Sequence, residues 1–356
     1  MNSDWEHCEP SACLDEVSTQ TRYRRVSLRA FPRMKLIVSH LEALRTYVTR
    51  EFYYITTDLM ANYGWRHIET WNLWSGPGTL REKLVRELGE VPDTILFWEA
   101  YEFLEAHRHE ICRLNCRKIC FADDLHWWNP WLKRIKLISF ALCDIVLSTY
   151  AYAWNQFYRE FCRTKKVLWI PHSASPDFML PYNPYAENSI LLSGAVTRHY
   201  PLRQQMLNLC LQRSYSLSYH RHPGYHCEYN YKTNQNIGCG YAKKLNFHRA
   251  AFTDSLIYKY VVAKHFEIPA TGALLIADNA VSPWLAKLGF VENKHYIPVS
   301  KADLEDRIQY VLNERNHDEL DKIRRRAQDL VRERHKTSDR ARQINEACVR
   351  ASSQTR

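Results

Sequence analysis

The stretch FTDSLIYKYVVAKHFEIPATGALLIAD, residues 252–278, decides the fold because it joins the start of a helix to a buried strand. The apolar run ALLIA predicts the strand, and Gly272 lets the chain turn into it from a helix that begins near residue 266. Glu267 lies at that helix start, where backbone N–H groups favour anions. Its carboxylate suits the two hydroxyls of a ribose, with a diphosphate nearby. An ordinary N-terminal helix carboxylate is the alternative.

Short apolar runs recur on both sides of this stretch, separated by helical lengths. The other runs are MKLIVS, a short strand near residues 67–71, DTILFW, KICFA, DIVLS, KVLWI, SILLSG, LSYH and HYIPV. Alternation of this kind is typical of parallel sheets with crossover helices. It predicts an α/β protein with two Rossmann-like domains.

The domain boundaries follow from changes in composition along the chain. The segment SPDFMLPYNPYAEN carries three prolines and little periodicity, which suits an interdomain linker. We predict five segments in order: an N-terminal extension (1–32), a first Rossmann-like domain (33–170), a linker (171–188), a second Rossmann-like domain (189–316), and a basic C-terminal helix and tail (317–356).

The first strand of the second domain is followed by two arginines. In SILLSGAVTRHYPLRQQM, a turn at Gly194 leads to Arg198 and Arg203, which are five residues apart. Guanidinium groups beside a helix N-terminus suit a diphosphate, whose charge grows as it leaves a sugar. Lys264, three residues before Glu267, is a further phosphate ligand or a solvated helix lysine. The two arginines are otherwise exposed residues at a helix end.

The segment HRHPGY, residues 220–225, ends another predicted strand of the second domain. Ligands of α/β proteins gather at the carboxyl ends of strands, so we expect His222 or Tyr225 near a nucleobase. A structural Pro-Gly turn explains the same letters.

In the first domain, KICFADDLHWWNPW places acids and aromatic residues directly after a buried strand. Asp123, Asp124 and His126 are candidates for the base that deprotonates an acceptor hydroxyl, and Trp127 and Trp128 suit stacking on a sugar face. The two aspartates are alternatively a metal site, or the first is a helix N-cap followed by core aromatics. Glu99 and Glu102 follow another predicted strand, and one of them is expected to point into the cleft. His172 ends the last strand of this domain, where it contacts the donor or packs at the hinge.

The segment FEIPATGALLIAD resembles the part of group 1 glycosyltransferases in which a Glu binds the ribose of a nucleotide sugar, and it is closest to the CgeB-like branch. The resemblance covers roughly residues 166–335 and extends more weakly over the N-terminal half. It implies a GT-B fold, with two Rossmann-like domains facing a central cleft and the donor held by the second domain, and a reaction that needs no metal. The resemblance is incomplete, because Lys259 lies where many members have an earlier Glu that contacts the sugar. A retaining outcome is therefore not assumed.

The composition and the motifs that are absent limit the class of protein and its cellular setting. The 356 residues are 46% hydrophobic and 25% charged, so a globular protein with two cores is expected and disorder is not. Eleven scattered Cys without a CxxC pair predict reduced thiols in the cytoplasm. No apolar run reaches the ~20 residues that span a bilayer. No GxSxG, Walker, HExxH or GxGxxG motif is present.

The formal charge of +10 predicts anionic partners. Much of the excess lies in the C-terminal helix, where Ile323, Ala327, Leu330 and Val331 are expected to face inward and the Lys and Arg side chains outward. This helix is a solvated surface or a dedicated binding site for an anionic partner such as nucleic acid or a membrane.

Two hypotheses follow. The first is a cytoplasmic, metal-independent glycosyltransferase that takes a nucleoside-diphosphate sugar as its substrate, needs no other cofactor, and uses a glycan or small molecule as acceptor. Peripheral contact with an anionic membrane is compatible with it, and specific nucleic-acid binding is not expected. The alternative is a basic protein that binds nucleic acid or membranes and has a degenerate sugar-donor fold.

Overall fold

Two parallel β-sheets, each covered by helices, form the fold. The computed structural model describes residues 34–161, 163–212, 215–225 and 228–350. The predicted N-terminal extension, residues 1–32, lies outside these residues.

The first sheet contains the predicted strands of the first half of the chain. They are β1 (Lys35–Ser39), β2 (Trp65–Glu69), β3 (Thr94–Trp98), β4 (Arg117–Ala122), β5 (Ile145–Ser148) and β6 (Lys166–Trp169). All neighbouring strands are parallel, in the order β2-β1-β3-β4-β5-β6. The helices around it are α1 (Leu41–Thr46), α2 (Glu51–Tyr63), α3 (Thr70–Trp74), α4 (Leu80–Leu88), α5 (Tyr101–Ala106), α6 (Arg108–Arg113), α7 (Pro130–Leu142) and α8 (Trp154–Phe157).

The strands are apolar throughout because both faces of the sheet are covered. In β1, Leu36 and Val38 join the core on one face, and Ile37 joins the core on the other. Parallel sheets buried on both sides need such continuous apolar strands. The parallel α/β pattern predicted from the apolar runs is therefore confirmed for this half of the chain.

The second sheet lies in the second half of the chain. Its strands are β7 (Glu187–Gly194), β8 (Leu217–Arg221), β9 (His248–Thr253), β10 (Leu274–Asp278) and β11 (Ile297–Val299), all parallel in the order β11-β10-β9-β7-β8. The helices of this half of the chain are α9 (Pro201–Gln212), α10 (Gly238–Phe247), α11 (Lys264–Ala270), α12 (Ser282–Lys287), α13 (Leu304–Leu312), α14 (His317–Arg334) and α15 (Thr337–Arg350). Strand β9 lies at the centre of this sheet and has no counterpart among the predicted strands.

The C-terminal region differs from the sequence-based expectation in two ways. The long helix is present as α14, but it ends at Arg334, and a separate helix, α15, begins at Thr337. Helix α15 packs against α2 of the first domain through Ala341 and Ile344. The apolar side chains of α14 face the core as expected. The expectation that its basic side chains all face outward is wrong, because Arg324 is fully buried and bonds the Gly272 carbonyl at 2.9 Å.

Candidate functional site

The carboxyl ends of the two sheets face a common cavity of about 590 Å³. Strand ends of this kind are where α/β proteins place their ligands. The cavity is lined from both domains by residues that include Tyr47, Asp123, Asp124, His126, Trp128, His172, Gly194, Arg203, His222, Tyr225, Tyr258, Lys264 and Glu267. Nine of the eleven site residues predicted from the sequence lie here. The exceptions are Arg198 and Gly272.

Arg203 supplies a buried cation at the second-domain wall. It lies in the first turn of α9, where the carboxylate of Asp254 accepts the backbone N–H groups of Leu202 at 2.8 Å and of Arg203 at 3.1 Å. Its guanidinium donates to the Ala195 carbonyl at 3.0 Å and stacks on the Tyr200 ring at 3.9 Å. Its Nε has no hydrogen-bond partner among the described residues. The guanidinium, whose Nη2 also donates to the Thr253 hydroxyl at 3.3 Å, is therefore held in place, and its charge is available to an anionic ligand in the cavity.

Strand β7 ends at Gly194, next to the Arg203 guanidinium. The φ of Gly194 is +105°, and a Cβ added there would lie 2.7 Å from Nη1 of Arg203 and 3.0 Å from Cε of Lys264. The glycine thus allows the backbone to approach two cations closely. This explains why the predicted turn needs glycine.

Lys264 and Glu267 begin α11 on the same wall. Nζ of Lys264 donates to the Tyr241 hydroxyl at 3.2 Å and lies 3.9 Å from a carboxylate oxygen of Glu267. Burial alone favours a lower pKa for Lys264, but Tyr241 and Glu267 hold its pKa above the ordinary value. Burial raises the pKa of Glu267, and Lys264 partly opposes this. Among the described residues, the Glu267 carboxylate accepts no recorded hydrogen bond, so it is open to hydroxyl donors from the cavity.

His222 and Tyr225 line the outer part of this wall. The Gly224 N–H donates to Nδ1 of His222 at 3.0 Å, and burial lowers the pKa of His222 to about 4. The ring is therefore neutral and presents Nε2–H as a donor. The Tyr225 ring lies 4.4 Å from that of His222 and is largely exposed.

Two predicted donor residues lie outside the cavity. Arg198 is exposed in the loop before α9, and only Arg203 of the predicted pair faces inward. Gly272, with φ +83°, lies beside Gln328 of α14, so its conformation serves the turn between α11 and β10. Arg198 is therefore available as a surface control for Arg203.

On the first-domain wall, Asp123 follows β4 and belongs to a buried ion-pair chain. Its carboxylate lies 3.2 Å from Nε2 of His172 and accepts the Thr149 hydroxyl at 2.6 Å. Nδ1 of His172 is 2.7 Å from Glu51, whose other oxygen accepts both N–H and Oγ–H of Ser173. Glu51, the first residue of α2, was not among the predicted site residues, since nothing in the sequence brings it near His172.

The charges in this chain stabilise one another. Burial alone favours a lower pKa for His172, but Glu51 and Asp123 hold its pKa well above the ordinary value. Burial alone favours a higher pKa for Asp123, but His172 and Thr149 hold its pKa below the ordinary value. An Asp123 held ionised in this way, with its Oδ1 in contact with both His172 and Thr149, is a poor proton acceptor.

Asp124 and His126 are the freer members of the predicted first-domain group. The Asp124 side chain is 49% exposed, and enclosure in the cleft together with the Asp123 charge raises its pKa. Nδ1 of His126 lies 3.7 Å from Asp124 and has no hydrogen-bond partner among the described residues. Burial lowers the pKa of His126 to about 4, so the ring is neutral. Of Asp123, Asp124 and His126, Asp124 is therefore the best placed to act as the base.

The side chains of Glu99 and Lys136 hold the backbone of the loop that carries Asp123, Asp124 and His126. Glu99 has φ +48°, which is unusual for a residue with a side chain, and its carboxylate accepts the Asp123 N–H at 3.3 Å. Burial, with the Asp123 charge adding to it, raises the pKa of Glu99 to about 8. Lys136 donates to the backbone carbonyls of Asp124 and His126, the latter at 3.0 Å. The backbone on both sides of the aspartates is thus fixed.

No group of three His, Cys, Asp or Glu side chains among the described residues is arranged as a set of metal ligands. Within the residues that the structure describes, no helix is both long and apolar enough to cross a bilayer.

Comparisons with known proteins agree with this architecture. Residues 214–346 match a family model described as glycosyl transferase-like. No curated protein sequence matches the chain.

Three solved structures share the fold over most of the chain. Sucrose-phosphate synthase from Thermosynechococcus elongatus has a TM-score of 0.61 at 12% identity and covers 91% of this chain and 100% of its own. An alpha-glucosyltransferase in complex with UDP-glucose and DNA has a TM-score of 0.55 at 13% identity over 88% and 98%. HepE from Anabaena, in complex with UDP and glucose, has a TM-score of 0.52 at 10% identity over 89% and 99%. The chain therefore has the GT-B fold that these glycosyltransferases share, and the CgeB-like branch stays a prediction.

Proposed function

We propose that the protein transfers a sugar from a nucleoside-diphosphate sugar to an acceptor hydroxyl. One observation carries the proposal: a single cavity has a buried and a partly buried cation and an open carboxylate on its second-domain wall and a half-exposed aspartate on its first-domain wall. Such a cavity holds an anionic leaving group at one end and a base at the other. The GT-B neighbours bound to UDP and UDP-glucose support this proposal.

The second-domain wall is assigned to the donor. Arg203 and Lys264 neutralise the diphosphate, whose negative charge grows as the bond to the sugar breaks. Glu267 accepts the two ribose hydroxyls, and His222 and Tyr225 lie where the base or the outer part of the nucleotide enters. Since Arg203 and Lys264 carry the compensating charge, the proposed reaction is independent of a metal ion.

The first-domain wall is assigned to the acceptor. The acceptor oxygen bonds to the anomeric carbon, its proton passes to Asp124, and the diphosphate leaves toward Arg203 and Lys264. Asp123 stays ionised beside His172 and keeps Asp124 basic, while Trp128 lies at the cavity rim for a glycan or small-molecule acceptor.

The cellular setting is part of the same proposal. The cysteines of the described residues form no disulfide, which supports the reducing cytoplasm. The alternative, a nucleic-acid- or membrane-binding protein that uses its basic helices, has less support. Arg324 and Arg340 of those helices are buried and bond backbone carbonyls, and Arg325 stacks on Tyr182 at 3.8 Å.

The donor assignment is tested by titrating UDP into wild type, Arg203→Ala and Arg198→Ala in a calorimeter, together with UDP release from UDP-glucose and other UDP-sugars. Removing a charge-assisted contact of about 1.5–3 kcal/mol should weaken UDP binding roughly 10- to 150-fold in Arg203→Ala. Arg198→Ala, which removes a similar charge outside the cavity, should bind UDP like wild type. Equal UDP affinity in all three proteins would remove Arg203 from the site, and a wild type that binds no nucleotide and releases no UDP would refute the function.

A further inference from the structure

The loop between β9 and α11, residues 254–263, crosses from the second domain to the first. Tyr260 on this loop is fully buried in the first-domain core and stacks on Tyr150 with 3.7 Å between ring centroids. The backbone N–H of Val261 donates to the Tyr152 hydroxyl at 2.8 Å, and that hydroxyl donates to the Lys259 carbonyl at 3.2 Å. The next residues after the loop are Lys264 and the rest of the donor wall. The loop therefore joins the donor residues to the first domain.

The loop backbone is held in an unusual conformation. Leu256 has φ +59° and Lys259 has φ +57°, although neither is a glycine. Two backbone bonds hold the segment between them: the Ile257 N–H donates to the His199 carbonyl at 3.0 Å, and the Lys259 N–H donates to the Leu256 carbonyl at 3.1 Å. Strained backbone persists only where the surroundings impose it, and it often marks a functional position. The residue held in this way, Tyr258, lines the cavity.

The Tyr258 ring lies between one ring from each domain. Its centroid is 4.7 Å from that of His126, with the planes at 23°, and 6.2 Å from that of His199, with the planes at 28°. His199 belongs to the same loop as the Arg203 helix start, and His126 lies beside Asp124. The rings of His199, Tyr258 and His126 thus connect the donor side of the cavity to the acceptor side.

We propose that Tyr258 is a positioning residue: docked by its loop, its ring holds the imidazole of His126 beside Asp124 and so ties the acceptor side to the donor domain. The inference rests on the proposed function. Without the ring, the His126 imidazole loses its stacked neighbour and keeps the more distant, tilted ring of Tyr260. The donor-binding residues Arg203, Lys264 and Glu267 keep their own contacts. The phenolic hydroxyl makes no recorded hydrogen bond among the described residues, so the ring alone is assigned this role.

The test compares Tyr258→Ala with Tyr258→Phe and with Ile257→Ala, whose side chain is exposed on the adjacent position. In Tyr258→Ala, kcat for transfer should fall about 10- to 100-fold, the loss expected from a small misplacement of reacting groups, while UDP affinity and donor KM stay at the wild-type values. Tyr258→Phe should restore kcat, because it keeps the ring. Ile257→Ala should match wild type in every measurement.

A second readout does not depend on turnover. Modification of His126 by diethyl pyrocarbonate, measured by peptide mass spectrometry, should be slow in wild type and Tyr258→Phe and faster in Tyr258→Ala, because the ring covers one face of the imidazole.

An inactive wild type would count against the proposed function, and the modification rates would still decide whether Tyr258 holds His126. Wild-type kcat in Tyr258→Ala, or unchanged modification of His126, would overturn the inference. A parallel loss of UDP affinity would also overturn it, since it would indicate general damage to the site.

Discussion

Replacing Gly194 by alanine perturbs both donor cations with a single methyl group. The added Cβ would lie 2.7 Å from Nη1 of Arg203 and 3.0 Å from Cε of Lys264, both closer than van der Waals contact allows. The Arg203 side chain has little freedom to withdraw, because it is stacked on Tyr200 and bonded to the Ala195 carbonyl. We therefore expect the methyl group to move one or both cations away from their positions.

The magnitude has two parts. Forcing an alanine into φ +105° costs about 1–2 kcal/mol of folding stability, wherever the glycine lies. Displacement of a cation from the diphosphate removes a charge-assisted contact of about 1.5–3 kcal/mol, which is roughly 10- to 150-fold in UDP affinity. The loss of UDP affinity should be specific to Gly194, whereas the loss of folding stability should not.

Gly89→Ala separates these two parts. Gly89 has φ +86° at the end of α4, and an added Cβ there would meet nothing within 4 Å. Both variants should lose similar stability in urea unfolding, and only Gly194→Ala should lose UDP affinity by calorimetry. Full UDP affinity in a folded Gly194→Ala protein would refute the close approach of Arg203 and Lys264 at this strand end.

Two further outcomes test the first-domain wall. Asp124→Asn should lower transfer roughly 10²- to 10⁴-fold with UDP affinity unchanged, as for loss of a general base, and wild-type transfer by this variant would exclude the assignment. His172→Asn should lower the free energy of unfolding by about 3–5 kcal/mol near neutral pH, because it leaves Glu51 and Asp123 without their cation. Since the folded-state pKa of His172 is raised, its contribution to folding stability is fully present below its ordinary pKa of 6.5 and is lost as pH rises through the folded-state pKa. Urea unfolding of wild type and His172→Asn at acidic and alkaline pH should show that the difference in unfolding free energy shrinks only at the alkaline end.

The strands of the first sheet were predictable because each is an apolar run between polar segments. Strand β9 was missed for the opposite reason: HRAAFT begins with His248 and Arg249 and follows α10 without a turn residue. It is nevertheless the central strand, paired with both β7 and β10. Its polar first residues are accommodated by long-range contacts, among them a bond between His248 and Ser189 at 2.6 Å and an ion pair between Arg249 and Asp321. Local sequence patterns carry no information about such partners.

The site residues show the same limit. Sequence reasoning brings Arg203, Lys264 and Glu267 to one place because they lie at helix starts that suit a diphosphate and a ribose, in line with the resemblance to group 1 glycosyltransferases. It does not give the direction of a side chain, so Arg198 and Arg203 were equivalent in the sequence although only Arg203 is anchored by Asp254 and turned inward. Tyr258 was not among the predicted site residues, because its segment is compatible with a helix or a turn and its ring contacts, His126 and His199, come from two domains.

His172 shows why the first-domain wall depends on the whole chain. Its ring is held by Glu51 from α2 and by Asp123 after β4, while its backbone carbonyl accepts the guanidinium of Arg340 from α15 at 3.0 Å. Arg340 also donates to the neighbouring Pro171 carbonyl at 2.8 Å. Because α15 follows the second domain yet packs on the first, the backbone of the residue that keeps Asp123 ionised is held in part by a side chain from the C-terminal helix. The basic residues at the C-terminus, whose charge suggested a binding surface, are therefore in part the structural support of the acceptor side of the cleft.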